Sequence, residues 1–447
     1  MFKSSILLFS LIQSIYVLTA QDLAKTVHRP GKAISSEVYP SVSIDGGWCW
    51  FSDPRAVYFE GKHKRTYMGW VTSSGDILVA YYDHESGEIN SKVLIEKLEA
   101  DDHDNPAILI GKDGKLKVFF SKHARNFPIQ LYQAKNPEDI SAWEIPISLS
   151  LNDTVEYKGQ SNTYTYYNPV YLSGENRYYL FWRGADFKPN YSVSDDGVHW
   201  SKGRIFVLPD RIYRDRRPYM KVSSDGKSRI DFAFTDGHPH NEKNNSIYYM
   251  YYTKGAFYKA DGNWIKNIGE PVRPEEADIV YDAYKAGNPK SWIWDVAEDQ
   301  SGRPTLVYAK FPDSANHIYC HARWNGNKWI NQDLVNAGGY FVRGPVGVPE
   351  REPNYSGGLV IDHEDPSILY LSLKRDSVFE IEKWTLIRNG KSWKVEVITK
   401  GSGKDNIRPF PIRNAGKKNP IQVLWLMNTR YVHYTNFHST IKMNRIP

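Results

Sequence analysis

The stretch DDHDNPAILIGKDGKLKVFFSKH, from Asp101 to His123, is the part of the sequence from which the fold can be inferred. An apolar run, Ala107 to Ile110, meets the turn signal Asp113-Gly114, and a second apolar run, Leu116 to Phe120, follows it. Two short apolar segments separated by such a turn predict an antiparallel β-hairpin. The register of this hairpin places His103 opposite His123 at its open end, with Cβ atoms about 5 Å apart.

Seven stretches of this kind occur along the chain, each with an apolar strand, a polar turn and an aromatic-rich second strand. They begin at Asp53, Asp101, Tyr167, Arg217, Trp294, Tyr355 and Ile407. A spacing of roughly 50 to 75 residues is typical of four-stranded propeller blades that carry variable loops. The sequence therefore predicts an all-β fold, a seven-bladed β-propeller, with a pair of β-sandwiches or a β-helix as the alternatives.

The N-terminal residues differ from the rest of the chain. Residues 1–20 contain one lysine followed by a short apolar run, which is the pattern of a secretory signal peptide cleaved near Ala20-Gln21. No other segment is long and apolar enough to span a bilayer. We therefore expect residues 21–447 to form a single propeller domain in a secreted or periplasmic protein.

The charge of the chain indicates the kind of partner. The 447 residues carry a formal charge of +6, which suits an anionic partner. Because no basic run resembles a nucleic-acid patch, an acidic polysaccharide is the expected partner of an exported protein. Cys49 and Cys320 are the two cysteines, so at most one disulfide can form. The sequence leaves the oligomeric state open, with a monomer as our expectation.

In a propeller the first strand of every blade lines the central channel, so the residues that lead into these strands gather at one mouth. The candidate substrate-binding residues at this mouth are Arg55, Asn105, Arg217, Tyr219, Trp294 and Tyr355. Trp294 is either core packing or a platform for a sugar ring, and Tyr219 is either a core aromatic or a site residue. The neighbouring Arg216 leaves open which of the two arginines faces a ligand.

A second pair of polar side chains is expected beside the histidines. The hairpin that turns at Ser173 to Asn176 has a register that places Tyr166 opposite Arg183. The histidine pair of the second blade and the tyrosine–arginine pair of the third blade then lie at equivalent levels of the channel mouth. The predicted catalytic residues are therefore His103, His123, Tyr166 and Arg183.

These four side chains suit β-elimination at a uronic acid. An arginine can bind and neutralise the carboxylate, which makes the adjacent C5 proton removable. A histidine or tyrosine takes that proton, and another group protonates the departing C4 oxygen. Glycoside hydrolysis normally needs two carboxylates, and the mouth offers only Asp53 with Asp215 or Asp295 as further candidates. The residue types therefore favour elimination over hydrolysis.

A second group of residues has the chemistry of a metal site. The segment HIYCH brings His317, Cys320 and His321 close together, and DGHPH carries His238 in the preceding blade. Zinc takes such nitrogen and sulfur ligands. We expect one structural Zn²⁺ held by His238, Cys320 and His321, with a buried free thiol and surface histidines as the alternative, and no organic cofactor.

Five motifs also resemble a known family. GGWCWFSDPRAVYF, DDHDNPAILI with FFSKH, YYNPVYL with YLFWRG, RPYMKVSSDGKSRIDFAFTDGHP and YSGGLVIDHEDP resemble the BNR-repeat-like family that contains the propeller ulvan lyases. The resemblance extends from about Gly46 to about Phe437. It implies a seven-bladed propeller that acts on ulvan, a sulfated polysaccharide. Such a propeller cleaves the linkage between rhamnose and glucuronate or iduronate by β-elimination.

The resemblance also carries residue roles. It implies catalytic roles for His103, His123, Tyr166 and Arg183, and through the RPY motif it adds Arg217 and Tyr219. Because some members hold a structural zinc, it supports His238 and the region of Cys320. The alternatives are an exo-acting rhamnosyl-glucuronate lyase, an α-L-rhamnosidase of the same propeller type, or a non-catalytic carbohydrate-binding propeller.

Overall fold

The computed structural model describes residues 23–28, 33–123, 126–152, 163–213, 215–313, 316–338, 357–387, 390–416 and 419–445. The predicted signal peptide, residues 1–20, and the candidate Tyr355 lie outside these ranges. Within them, no helix is long and apolar enough to cross a membrane. The described helices are short 3-10 turns at Ser36–Val38, Asp102–Asp104, Ala185–Phe187, Arg211–Tyr213 and Pro274–Glu276.

Strands make up the rest of the regular structure. Two of them precede the first blade: β1 (Lys25–His28) and β2 (Ser41–Ser43). Blade one comprises β3 (Ala56–Glu60), β4 (Lys64–Val71), β5 (Ile77–Asp83) and β6 (Ile89–Ile95). Blade two comprises β7 (Ala107–Ile110), β8 (Leu116–Phe120), β9 (Ile129–Gln133) and β10 (Ile147–Leu149). Blade three comprises β11 (Thr165–Leu172), β12 (Arg177–Arg183), β13 (Pro189–Ser194) and β14 (Arg204–Ile205).

The second half of the chain continues the pattern. Blade four comprises β15 (Met220–Ser224), β16 (Arg229–Thr235), β17 (Ile247–Thr253), β18 (Ala256–Tyr258), β19 (Trp264–Asn267) and β20 (Asp278–Tyr281). Blade five comprises β21 (Lys290–Glu298), β22 (Pro304–Phe311), β23 (Ile318–Trp324) and β24 (Trp329–Asn336). Blade six comprises β25 (Leu359–Ile361), β26 (Ile368–Arg375), β27 (Val378–Leu386) and β28 (Ser392–Val397). Blade seven comprises β29 (Asn406–Pro411), β30 (Val423–His433) and β31 (Asn436–Met443).

The seven sheets confirm the predicted β-propeller. In each blade the first strand along the chain lies at one edge of the sheet, followed by its hairpin partner and then the outer strands. Blade seven is completed by the N-terminal strand β2, which pairs with β31, and β1 pairs in parallel with β28 of blade six. These N-terminal strands therefore hold the last blades to the beginning of the chain.

The hairpin registers decide which side chains meet at the channel mouth. In blade two, Ala107 pairs with Phe119 and Ile110 with Leu116, the register that sets His103 against His123. In blade three the predicted register holds from Asn168 to Leu172, but at the open end Arg183 pairs with Thr165 and not with Tyr166. The reason is a bulge at Tyr166, whose φ of 65° interrupts the ladder between Thr165 and Asn168.

An aromatic layer, formed by Trp50, Phe51, Tyr219, Trp292 and Trp294, fills the channel behind this mouth. The rings of Trp50 and Trp294 stack with centroids 4.2 Å apart, and Phe51 lies 5.0 Å from Tyr219 and 5.7 Å from Trp292. All five are buried. At the far ends of the inner strands, every blade contributes to a separate cavity of about 580 Å³. The aromatic layer therefore lies between the two ends of the channel.

Candidate active site

A stacked pair of histidines forms the centre of the site. The rings of His103 and His123 lie 4.2 Å apart, with an interplanar angle of 8°. Asp101 accepts a hydrogen bond from each Nδ1, at 2.7 Å from His103 and 2.9 Å from His123, using one carboxylate oxygen for each. Because both Nδ1–H groups point to Asp101, both Nε2 atoms are left to face other partners. The predicted pairing of the two histidines is thus present in the fold.

The sequence around Asp101 explains this arrangement. Asp101 precedes the 3-10 turn Asp102–Asp104, and its side chain accepts from the backbone N–H of His103 at 2.9 Å. His123 follows β8, and its N–H donates to Asp104 at 2.6 Å. Asp101 and Asp104 therefore hold the two ends of the hairpin together, since each accepts a hydrogen bond from His123.

The two histidines differ in protonation. Burial disfavours the charged form of His103, but interactions with Tyr166, Cys49 and Asp101 outweigh it and raise the pKa of His103 well above its ordinary value. The ionised Asp101, bonded to Nδ1, is the partner that acts at neutral pH, where Tyr166 keeps its proton. Burial and the adjacent positive charge of His103 lower the pKa of His123 to about 4. At neutral pH His103 is therefore a cation and His123 is neutral, with an unprotonated Nε2.

Asp102 supports the pair from behind. Its carboxylate accepts from Arg408 and from the hydroxyl of Tyr431, and its other oxygen lies 3.1 Å from Nδ1 of His103. Tyr434 packs its ring edge-on against both imidazoles, 4.7 Å from His103 and 5.5 Å from His123. Arg408, Tyr431 and Tyr434 belong to blade seven. The site therefore combines side chains from blade two with side chains from the last blade.

Arg183 lies next to His123 and has no carboxylate partner among the described residues. Its Nη1 donates to the hydroxyl of Tyr219 at 2.8 Å, its Nε donates to Thr165 at 3.0 Å, and its Nη2 lies 3.4 Å from Nε2 of His123. The side chain is 7% exposed. A buried guanidinium that contacts only neutral groups is suited to binding an anion.

Tyr166 completes the group. Its ring lies 4.5 Å below the guanidinium of Arg183 and 5.8 Å from the ring of His103. Burial raises the pKa of Tyr166 well above its ordinary value, so its hydroxyl is protonated at neutral pH. The structure therefore brings together all four predicted catalytic residues, although Arg183 contacts Tyr166 through the bulge and not as a cross-strand pair.

Three of the predicted substrate-binding residues are buried in structural roles. Arg55 pairs with Asp53 at 3.0 Å and packs on Phe410, so it does not face the mouth. Asn105 accepts from the N–H of Cys49 at 3.0 Å and is fully buried. Trp294 belongs to the aromatic layer and, at 3% exposed, offers no face to a sugar. This position is the one that the core-packing alternative for Trp294 expects.

The other predicted substrate-binding residues lie near the site or outside the described part of the chain. Tyr219 contacts Arg183 directly. Arg217 is exposed, and its guanidinium lies 3.9 Å from the ring of Phe187, which also packs against Arg183 at 5.3 Å. Tyr355 stays a prediction, since it falls among the residues that the structure does not describe.

The predicted zinc ligands are not brought together. Cys320 and His321 are consecutive residues of β23, so their side chains point to opposite faces of the sheet. The thiol of Cys320 lies 3.4 Å from Asp333, and Nε2 of His321 lies 2.8 Å from the hydroxyl of Thr305. His238 packs elsewhere, on Trp292 at 4.7 Å. Both cysteines are free and buried, so the possible disulfide is absent.

One group in the described part of the chain has the composition of a metal site. The ligand atoms of Asp101, His103 and His123 lie within 4.8 Å of one another. The Nδ1 atoms of both histidines already donate to Asp101, so a metal bound through them would displace those hydrogen bonds. The residue types are those of a metal site, but the hydrogen bonds between them are those of a pair of histidines that act as acid and base.

Sequence reasoning missed several residues that shape the site. Asp101, Asp102 and Tyr434 surround the histidine pair, and Phe187 separates two arginines. The acidic residues in DDHD, on both sides of His103, were the available signal for Asp101 and Asp102. Nothing in the sequence pattern singles out Tyr434 or Phe187.

Comparison with known proteins identifies the family of the chain. A model of the BNR repeat-containing family matches residues 65–337, more than half of the chain. The chain belongs to the BNR repeat-containing family. The resemblance inferred from the five motifs is thereby confirmed.

This BNR repeat-containing chain has named relatives. It is 24% identical over 394 residues to an ulvan lyase of Nonlabens ulvanivorans, which covers 76% of this chain and 75% of the relative. It is also 24% identical over 330 residues to a PL25 ulvan lyase of Pseudoalteromonas sp. strain PLSV, covering 62% and 63% of the two chains.

Solved structures share the fold. A PL25 ulvan lyase superposes with a TM-score of 0.65 at 17% identity, covering 91% of this chain and 94% of the other. The same type of enzyme bound to -[GlcA(1-4)Rha3S]- gives a TM-score of 0.64 at 16% identity, covering 93% and 95%. At these identities the likeness shows a common propeller.

Proposed function

We propose that this BNR repeat-containing chain is an exported polysaccharide lyase that cleaves a uronate-containing sulfated polysaccharide by β-elimination. The observation that carries the proposal is the position of Arg183, a buried guanidinium without a carboxylate partner among the described residues, 3.4 Å from the neutral Nε2 of His123. An anion site beside an unprotonated imidazole nitrogen is what removal of a proton next to a carboxylate requires.

The first step uses Arg183 and His123. A substrate carboxylate that binds Arg183 loses much of its negative charge, and this stabilises the carbanion-like charge that develops as the C5–H bond breaks. Nε2 of His123 accepts the C5 proton. Asp101 accepts from Nδ1 of the same ring, so its carboxylate stabilises the imidazolium that forms.

The second step uses Tyr166. As the C5 electron pair forms the C4–C5 double bond, the C4–O bond breaks and the departing oxygen takes the hydroxyl proton of Tyr166. The phenolate left on Tyr166 lies beside Arg183 and the cationic His103, whose charges stabilise it. The products are an unsaturated uronate end and a new hydroxyl, and the proton on His123 returns to Tyr166 through solvent.

A hydrolytic mechanism has less support. A glycosidase needs two carboxyl groups that face the sugar. In the described part of the site, Asp101 bonds both histidines, Asp102 bonds Arg408, and Asp104 accepts from His123. Of the three carboxylates considered from the sequence, Asp53 is buried in an ion pair with Lys221, Asp295 is buried and bonded to His363, and Asp215 is exposed. This distribution also weighs against the rhamnosidase alternative.

The proposed substrate class is ulvan, a polymer of rhamnose linked to glucuronate or iduronate. It is supported by the two relatives named ulvan lyases and by the solved propeller that holds -[GlcA(1-4)Rha3S]-. Export, with cleavage of a signal peptide near Ala20, is part of the same proposal because a polysaccharide of this size is met outside the cell.

Product analysis tests this proposal. After incubation with ulvan, we expect each new non-reducing end to be an unsaturated uronate, which absorbs in the ultraviolet and has a mass lower by one water than a hydrolysis product. Reducing ends without this absorbance would establish a hydrolase, and binding without either signal would establish a carbohydrate-binding propeller. Tyr166→Phe removes the acid, and should lower turnover by about 10²- to 10⁴-fold.

A further inference from the structure

We propose that Arg217 recognises a second anionic group of the substrate, a sulfate ester on the sugar next to the uronate that Arg183 binds. The inference rests on the proposed function and goes beyond it, because it makes Arg217 a determinant of specificity for the sulfated polymer. Three residues form the proposed site: Arg183, Arg217 and, between them, Phe187.

Phe187 determines how the two guanidinium groups are spaced. The Cζ atom of Arg217 lies 3.9 Å from the centre of the Phe187 ring, and the Cζ atom of Arg183 lies 5.3 Å from it. The two charges are therefore separated by no more than about 9 Å, a length that a disaccharide spans. Arg183 is buried and Arg217 is exposed, so one anion site is inside the mouth and the other is at its rim.

Arg217 is available for such a ligand. It makes no ion pair with any described residue, and its guanidinium packs on the ring of Phe187. Asp186, the acidic residue next to Phe187, pairs with Lys188 at 3.2 Å. The neighbouring Arg216 is occupied, because it bonds Asp236 at 3.0 Å and lies 3.3 Å from Glu242. Of the two consecutive arginines, Arg217 is therefore the one that can face a ligand.

The backbone that carries Phe187 is held in an uncommon conformation. Asp186 and Phe187 have φ values of 55° and 56°, in the left-handed region where side chains other than glycine are strained. The turn is held by Lys188, whose Nζ bonds the carbonyl of Asp186 at 3.1 Å, and by the N–H of Phe187, which donates to Gly184 at 3.0 Å. Strain of this kind persists where a side chain must be kept in place.

Sulfate suits the rim site. Stacking on Phe187 covers one face of the Arg217 guanidinium and leaves its N–H edge to donate to an oxyanion. A sulfate ester stays ionised at all relevant pH values and presents several oxygens to such a fork. The solved propeller lyase noted above holds a ligand with a carboxylate and a sulfate on adjacent sugars.

The test compares Arg217→Gln with the wild type on ulvan and on chemically desulfated ulvan. We expect kcat/KM on the sulfated polymer to fall about tenfold or more, mainly through KM, since a charge-assisted hydrogen bond is lost. The fall on the desulfated polymer should be much smaller, so that the preference for sulfate disappears. Arg204→Gln removes the same charge from exposed Arg204 on the outer strand β14, and should leave the preference intact.

The outcomes separate the two proposals. If the wild type eliminates both polymers and Arg217→Gln keeps the wild-type preference for sulfate, the role of Arg217 is refuted and the lyase proposal stands. If the wild type produces no unsaturated ends from either polymer, the lyase proposal is refuted. In that case calorimetric titration with the two polymers still tests Arg217, because equal affinity of the wild type for both would refute sulfate recognition.

Discussion

His103 and His123 lie face to face, 4.2 Å apart, with a single carboxylate, that of Asp101, bonded to the Nδ1 atom of each. Two imidazolium cations at this distance would repel, so the pair carries one proton more readily than two. The carboxylate and the stacking together leave His103 charged and His123 neutral. The same feature therefore orients the two rings and makes them chemically different.

Asp101→Asn tests the role of the shared carboxylate. An amide has one accepting oxygen, so only one histidine can keep its Nδ1–H hydrogen bond, and the other ring changes tautomer or rotates. We expect kcat to fall by up to about 10⁴-fold with little change in KM, as for other carboxylates that orient a catalytic histidine. Nitrogen chemical shifts of the imidazoles should report the altered tautomer.

Asp196→Asn is the matched control for that variant. Asp196 also bonds a histidine, His199, at 2.6 Å, but both side chains are exposed on an outer hairpin. The control should leave kcat unchanged. Equal kcat values for Asp101→Asn and the wild type would contradict the proposed role of Asp101.

Arg183→Gln tests the carboxylate site. Glutamine keeps a donor for the hydroxyl of Tyr219 but lacks the positive charge that neutralises the substrate carboxylate. We expect kcat/KM on ulvan to fall by about 10²-fold or more. Ulvan whose carboxyl groups have been reduced to alcohols should be a poor substrate for the wild type, and Arg183→Gln should reduce its cleavage no further. A full additional loss on the reduced polymer would mean that Arg183 does not act through the carboxylate.

The pH profile should follow the lowered pKa of His123. The base acts only when neutral, so kcat/KM should fall as the pH drops through about 4. Because the charge of His103 contributes to this lowering, His103→Gln should move the acid limb to higher pH in addition to reducing the rate. A wild-type acid limb near pH 6.5, the ordinary value of a histidine, would contradict the assignment of the base.

Trp294→Phe tests the structural role of the aromatic layer. The smaller ring loses the stacking contact with Trp50, and we expect the free energy of unfolding to fall by about 1–3 kcal/mol. KM should stay near the wild-type value, since Trp294 is buried behind the mouth. Trp264→Phe is the control, as Trp264 is 57% exposed on β19. A large rise in KM without a loss of stability would restore the sugar-platform interpretation.

The fold could be predicted because a β-hairpin is a local structure. Turn residues and apolar runs such as Ala107 to Ile110 are close together in the sequence, and seven copies specify a propeller. The juxtaposition of His103 and His123 follows from the same local register. The bulge at Tyr166 could not be read this way, since a residue at φ 65° leaves no mark in the pattern of apolar and polar residues.

Contacts between distant segments account for the other differences. Trp294 is covered by Trp50, which comes from the segment before blade one, outside the repeat that placed Trp294 at the mouth. Phe187 contacts Arg217 from a turn in the left-handed conformation, which the sequence pattern does not indicate. The zinc prediction grouped residues by proximity in the sequence, whereas consecutive residues in β23 point to opposite faces of the sheet.

The most direct test of the account is the rate at which His123→Ala forms unsaturated uronate from ulvan, followed by ultraviolet absorbance beside the wild type. We predict steady formation by the wild type and a loss of at least about 10³-fold in the variant. An unchanged thermal unfolding midpoint would show that the variant is folded. A folded His123→Ala protein that eliminates at a rate near that of the wild type would contradict the central claim that His123 removes the C5 proton.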